Sequence, residues 1–416
     1  MIPPGHEVNM QDAQQSSSRS SAVMARDIQE PTRSERTHAD NLASACAEHR
    51  RRAVASVAPG QLKYTGADEF FNVLKSRVEA YFQSTGRSKR DCPAMYLKTA
   101  ILLAWFAASY VLLVFVAHSW WMVPPLAISM GLSVAAIGFN IAHDGGHHAY
   151  SNYRWINRLT ALAMDLVGGS SYIWARKHNS IHHTYTNIEG HDDDINVGFL
   201  GRLAPEQTRH WFHRGQHWYL WVLYGFLSIK WQLFDDFHNV VTGRIGPHRF
   251  VRPRGWDLAI LLGGKALFFS LAFVIPLMVH PVWLVLVVFG ATSFVQGLVL
   301  SVVFQLAHCV ECASFPMPQV ETGRMETSWA VHQVATTVDF ARKNRVLSWY
   351  VGGLNYQVEH HLFPQICHLH YEAIARVVED VCREFRLHYM AHDTFLGAVA
   401  SHFRWLRQMG RPVTAA

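Results

Sequence analysis

Half of the 416 residues are hydrophobic and only 16% are charged, against roughly 25% charged in ordinary soluble domains, so a typical water-soluble globule is excluded. The net charge of +6 comes without a basic helix or finger motif; this excludes a nucleic-acid partner and leaves anionic lipid or an acidic cofactor. Histidine is the outlier, with 26 residues.

Residues 1–60 are polar and aperiodic. They lack a basic segment followed by an apolar one and read as a disordered tail, not a signal peptide. In residues 61–98 the stretch ADEFFNVLKSRVEAYFQ places Phe71, Leu74, Val78 and Phe82 at three-to-four spacing. That stripe predicts an amphipathic helix before the membrane, lying on its surface or packed on the body of the protein.

Four apolar spans follow, at about 99–118, 122–142, 257–279 and 282–307. Each approaches or exceeds what about 30 Å of hydrocarbon requires at about 1.5 Å per residue. The last is longer than a bilayer needs, so it tilts or projects beyond it. The turns HSWWMVPP and HP lack Lys and Arg, whereas KSRVEAYFQSTGRSKR, TGRIGPHRFVRPRG and ARKNR flank the open ends. Charge asymmetry therefore predicts two hairpins of transmembrane helices with both termini and all long connections in the cytoplasm. The aromatic stretches 159–174 and 217–234 read as helices at the membrane surface, and 396–416 as a C-terminal tail. The six cysteines have no disulfide-scaffold spacing, and the lone CxxC of Cys309 and Cys312 reads as structural.

The histidines fall at the ends of these spans. HDGGHH (His143–His148) begins where the second span ends, HNSIHH (His178–His183) lies between the hairpins, His308 ends the fourth span, and QVEHH (Gln357–His361) follows. Charge asymmetry alone puts all four on one side. His143 and His147 are i,i+4, as are His178 and His182, which places each pair on one helix face. Gln357 precedes His360 by three residues and His361 by four. Neutral imidazole suits iron, zinc and copper. The number of imidazoles exceeds what one tetrahedral zinc needs, and two metals account for it better. Asp144, Glu189, Asp192, Asp193, Asp194, Asp339 and Glu359 lie close in sequence to the clusters, as candidates to fix the rings through their second nitrogens. GHDDDI reads as such a partner or as capping, not as a carboxylate metal site. Trp174, Tyr185 and Phe363 are candidates to line an apolar tunnel. Arg154, Arg158, Arg176, Lys177, Arg342, Lys343 and Arg345 either bind a phosphate or are only the positive-inside charges.

Over residues 65–390 the order HDGGHH, HNSIHHTYTN, FQLAHCVE, HQVATT, GGLNYQVEHHLFPQICHLHY resembles the membrane-bound fatty acid desaturases. Gln357 in place of the first histidine of the third box resembles the front-end, delta-6-like type, which inserts a double bond between an existing one and the carboxyl end. The resemblance implies an all-α integral membrane protein, four transmembrane helices in two hairpins under a cytoplasmic helical cap, with the enzyme domain at 99–395. It implies two iron ions held by His143, His147, His178, His182, His183, His308, His360 and His361. His148, His332, Gln357, Asp144 and Asp192 are further ligands or partners of ligands. O2 and two electrons would convert an acyl-CoA or acyl-lipid. The haem signature of a fused cytochrome b5 domain does not occur in the sequence, so the expected donor is a separate ferredoxin or cytochrome b5 with its reductase. A hydroxylase, ketolase or sphingolipid desaturase built on the same irons is the alternative. A transporter or membrane haem protein fits less well: the spans carry almost no ionisable residue but Lys265, and 99–117 and 258–279 contain no histidine.

Overall fold

In hydrocarbon every backbone N–H and C=O must be satisfied within the chain, so long apolar segments close into helices. The computed structural model, which describes residues 62–66 and 68–412, is mostly helical. Among the described residues the strands are two short pairs, Arg244–Ile245 with His248–Arg249 and Asp339–Phe340 with Ala391–His392. The polar tail at 1–60 lies outside the described residues.

Among the described residues four helices are long and apolar enough to cross a membrane: Pro93–Val116, Val123–Gly146, Trp256–Leu277 and Val282–His308. The first begins earlier than the apolar run suggests. Pro93 occupies its first turn, where a missing N–H costs nothing. Lys98 is buried, with its ammonium 2.9 Å from His368 Nε2, and so does not mark the water boundary. The second runs past residue 142 through a wide π turn, Gly138–Ala142, and carries His143 at its end.

The second span packs against the first and, more extensively, the fourth. Gly131 permits the closer approach: a Cβ there would stand 2.7 Å from the Thr292 carbonyl oxygen and from Val295 Cβ. The aromatic stretches 159–174 and 217–234 are broken into short helices that fall below spanning length. Gln216–Gly225 packs on the fourth span, where the Gly225 carbonyl comes within 2.5 Å of a Cβ built at Gly297.

The helix Glu69–Thr85 is capped by Asp68, which accepts from Phe71 N–H at 3.1 Å. It buries Phe70, Leu74, Val78 and Phe82 in one apolar cluster with Val334, Tyr356, Ile374 and Val378, so it packs on the body and not on lipid. Phe70 takes the inward place expected of Phe71, which remains half-buried.

The reading of 396–416 as a tail requires correction. Phe395–Met409 is a helix capped by Thr394, with Ala398, His402, Trp405 and Leu406 buried. His402 bonds the Cys309 carbonyl at 2.6 Å and the Tyr224 hydroxyl at 2.9 Å. Trp405 Nε1 donates to the Leu203 carbonyl at 2.8 Å. Its apolar stripe is interrupted by residues that find polar partners only in the folded chain, which is why composition reads it as unstructured.

Candidate metal centre

Each histidine cluster sits where helix geometry changes. His143 follows the π turn of the second span, and His147 N–H bonds the His143 carbonyl one turn later at 3.0 Å. The second cluster lies on a π-helical run, Ala175–His182. The third occupies the short helix Gln357–Leu362, reached through Gly352 and Gly353, both in the left-handed region at φ 63° and 68°. A Cβ at Gly352 would meet the Phe139 carbonyl oxygen at 2.5 Å, so glycine lets this loop run against the second span. His308 ends the fourth span.

These elements gather the imidazoles into two lobes. His143, His147, His178 and His360 offer ligand atoms within 4.8 Å of one another, as do His182, His308 and His361. His183 joins His360 and His361 in a third such group and links the lobes. Ring centroids are 4.5 Å apart for His143 and His360, and 4.9 Å apart for His308 and His361.

The spacing argument for the second cluster holds in part. The rings of His178 and His182 stack 5.4 Å apart and share one group with Asp194, yet His178 otherwise gathers with His143, His147 and His360, and His182 with His308 and His361. The wider π turn brings residues five apart together instead, and His178 Nε2 lies 3.3 Å from His183 Nε2.

The nitrogens facing inward are those a metal would need. Nε2 of His143, His147, His182, His308, His360 and His361 are buried without a hydrogen-bond partner, and Nε2 of His183 faces His178 Nε2. Such atoms are costly unless a ligand satisfies them. The opposite nitrogens are engaged. His182 Nδ1 meets Asp192 at 3.1 Å, His308 Nδ1 the Thr336 carbonyl at 3.3 Å, His360 Nδ1 the Tyr371 hydroxyl at 3.3 Å, and His361 Nδ1 the Gln333 side-chain oxygen at 2.8 Å. A proton on Nδ1 leaves the Nε2 lone pair inward. Burial, then the neighbouring imidazoles, hold His147, His178, His183, His360 and His361 well below the usual histidine range, so they are neutral. His182 differs: burial pulls it down, but the charge and hydrogen bond of Asp192 outweigh that and raise it. The chemistry of this donor set fits metal ions.

The remaining candidates sort themselves by contact. His148 is exposed, at φ 59°, and belongs to none of these groups. His332 bonds the Thr186 carbonyl at 2.9 Å and stands outside the ligand groups, with burial holding it at about 4. Gln357 donates to the Leu354 carbonyl at 2.8 Å and lies against His308. Asp144 holds His368 Nδ1 at 2.8 Å and lies 3.9 Å from His143 Nδ1. Asp193 and Asp194 take Lys177 at 3.1 and 3.0 Å. Asp339 and Glu359 share the Tyr389 hydroxyl at 2.5 and 2.9 Å, and Glu189 accepts from Gln207 at 2.8 Å.

Trp174 stacks on His178 at 4.7 Å and presents edges to His143 and His147. A Cβ at Gly146 would lie 2.1 Å from the Trp174 ring, so that glycine makes room for it. Phe363 packs on Phe71, and Tyr185 on His191 and His248, away from the ligand groups. Arg158 pairs with Asp257, Arg342 with Glu379, and Arg176 covers the Tyr172 ring. Gln333, Tyr371 and His368 support the site with no sequence signal beyond lying near the histidine-bearing segments, and Lys98, far from any of them in sequence, reaches His368 only through the fold. Cys309 and Cys312 belong to none of the ligand groups among the described residues.

A family model described as fatty acid desaturase matches residues 119–393. The chain is 43% identical over 349 residues to the sn-1 linoleoyl-lipid 6-desaturase of Arthrospira platensis, covering 83% of this chain and 94% of the relative. It is 38% identical to the protein of the same name from Synechocystis sp., covering 84% and 98%. It is 39% identical to the acyl-lipid (8-3)-desaturase of Physcomitrium patens, covering 84% and 74%.

Proposed function

The chain belongs to the fatty acid desaturase family, and from that premise we propose that it inserts a cis double bond toward the carboxyl end of an acyl chain carried on a membrane lipid. The names of the Arthrospira platensis and Synechocystis sp. relatives favour the delta-6 position and a lipid carrier over coenzyme A. The observation that carries the reading is the set of inward imidazole nitrogens without protein partners, divided between two lobes.

Two irons fit that division. His143, His147, His178 and His360 would hold one, His182, His308 and His361 the other, with His183 between them. When bound, the irons supply O2 chemistry strong enough to take hydrogen from an unactivated methylene. The protein's own residues do the rest. Asp192, Tyr371 and Gln333 fix ring orientation and tautomer, and burial keeps His147, His178, His183, His360 and His361 neutral. Trp174 and Phe304 cover the rings from their apolar side, and such walls exclude water. Electrons come from a separate ferredoxin, or from cytochrome b5 with its reductase; turnover of the purified protein with NAD(P)H alone would contradict this. The spans form two hairpins, with both termini and the metal centre cytoplasmic. Labelling of a cysteine placed at Trp120 from the outer side only would support that orientation.

The deciding experiment is gas chromatography–mass spectrometry of lipids from a host expressing the wild type or a His360→Ala, His361→Ala variant, with a donor co-expressed. New unsaturated species in the wild type alone support the reading, and fragments of derivatised chains locate the bond. Oxygenated products would replace it with a hydroxylase, and a wild-type protein purified free of iron would remove its basis.

A further inference from the structure

A cluster of thiols and imidazoles lies at the head of the first span, outside the two histidine lobes, where Cys367 falls in one group of potential ligand atoms with Asp144 and His368. Cys92 is the cap residue of the helix Pro93–Val111 and is partly exposed. Its sulfur lies 3.2 Å from His370 Nε2. That imidazole is itself buried and held edge-on by Phe82 at 5.1 Å. Cys367 is fully buried, and its N–H is tied to the Lys89 carbonyl at 3.0 Å, so the two cysteine-bearing segments are fixed side by side. Cys92 packs against the buried cluster that contains Cys367.

We propose that Cys92 and Cys367 are a peroxide-reactive thiol pair, with Cys92 the nucleophile and Cys367 the thiol that resolves it into a disulfide. The two sulfurs have the required asymmetry. The Cys367 thiol, then the hydrogen bond of His370, bring Cys92 down to about 5, and a helix N-terminus favours the thiolate further. The Cys92 sulfur, together with burial, pushes Cys367 far up, so it stays a protonated thiol. Cys312 is an internal contrast: exposed, but raised by burial of its thiol and by Glu311.

The step balances. The Cys92 thiolate attacks peroxide, the O–O bond breaks, and hydroxide leaves as the sulfur becomes a sulfenic acid. The Cys367 sulfur attacks that sulfur, the S–S bond forms and water departs. Two thiols are oxidised and one peroxide is reduced to two waters. The product ties the start of the first span to the segment that follows the third histidine cluster.

The test uses the purified full chain treated with equimolar hydrogen peroxide, alkylated and mapped by mass spectrometry. A Cys92–Cys367 disulfide should appear while Cys312 remains a thiol. In Cys367→Ser the reaction should stop at a Cys92 sulfenic acid, trapped by a 1,3-dione. At pH 6, iodoacetamide should label Cys92 about tenfold faster than Cys312, its larger thiolate fraction outweighing its lower intrinsic nucleophilicity. His370→Gln should remove that lead. Labelling of Cys312 as fast as Cys92, or no dione adduct in Cys367→Ser, overturns the proposal. If His370→Gln does not fold, the wild-type comparison decides alone.

Discussion

At His182 one carboxylate decides which nitrogen faces the metal lobe. Asp192 accepts at Nδ1 and also from the backbone N–H groups of Asn187 and Asp194, so it is rigid. Asp192→Asn offers an amide donor in its place, moves the ring proton to Nε2 and blocks the lone pair. Metal affinity should fall about 10- to 100-fold, measured by competition with a chelator; unchanged retention would show that Asp192 does not orient the ring. The neutral imidazoles carry a pH signature. His147, His178, His183, His360 and His361 titrate well below 6.5 when folded, so their contribution to stability is present above 6.5 and lost as pH falls below it. Each unit of separation between folded and unfolded values is worth about 1.4 kcal/mol. The thermal midpoint of the metal-free protein should therefore drop steeply from pH 6.5 to 5. A flat profile would contradict buried neutral rings.

The local element that matters most is the π run Ala175–His182. It sets His178 beside His183 and turns His182 to the other lobe, which α-helical spacing does not do. Deleting Ser180, whose side chain is exposed, should tighten the run toward α-helix and rotate His182 and His183 out of register. Metal content should fall to background while the helical circular dichroism is kept; a fully loaded deletion variant would show that the wide turn is dispensable. The histidines were legible from the sequence because their pattern is local. The π turn was not, because nothing in ARKHNSIH distinguishes five-residue from four-residue hydrogen bonding. The same limit hid the C-terminal helix, whose His402 and Trp405 find their partners on Tyr224, Cys309 and Leu203.

Across the whole molecule, the histidine clusters meet because the second and fourth spans are pressed together. Gly131→Ala should separate them: its Cβ would sit 2.7 Å from Thr292 O and Val295 Cβ, and overpacking of this kind costs about 1–3 kcal/mol. Gly290→Ala has nothing within 4 Å of its new carbon and should be neutral or stabilising by up to about 1 kcal/mol. Unfolding of both variants in one detergent checks the contrast. Equal stabilities would show that the close approach carries no weight.

The sequence by itself determined that the chain is membrane-embedded, that four helices among the described residues are apolar and long enough to cross a membrane, and which imidazoles form the clusters, since hydropathy and helical spacing are properties of neighbouring residues. Only the tertiary structure decided which nitrogen of each ring faces inward and which carboxylates support them. It also separated His148 and His332 from the ligand groups and carried the first span past Lys98. Those outcomes rest on contacts between residues far apart in the chain, such as Asp144 with His368 and Gln333 with His361. A buried polar group is settled by the partner that folding brings to it, and that partner is not written beside it.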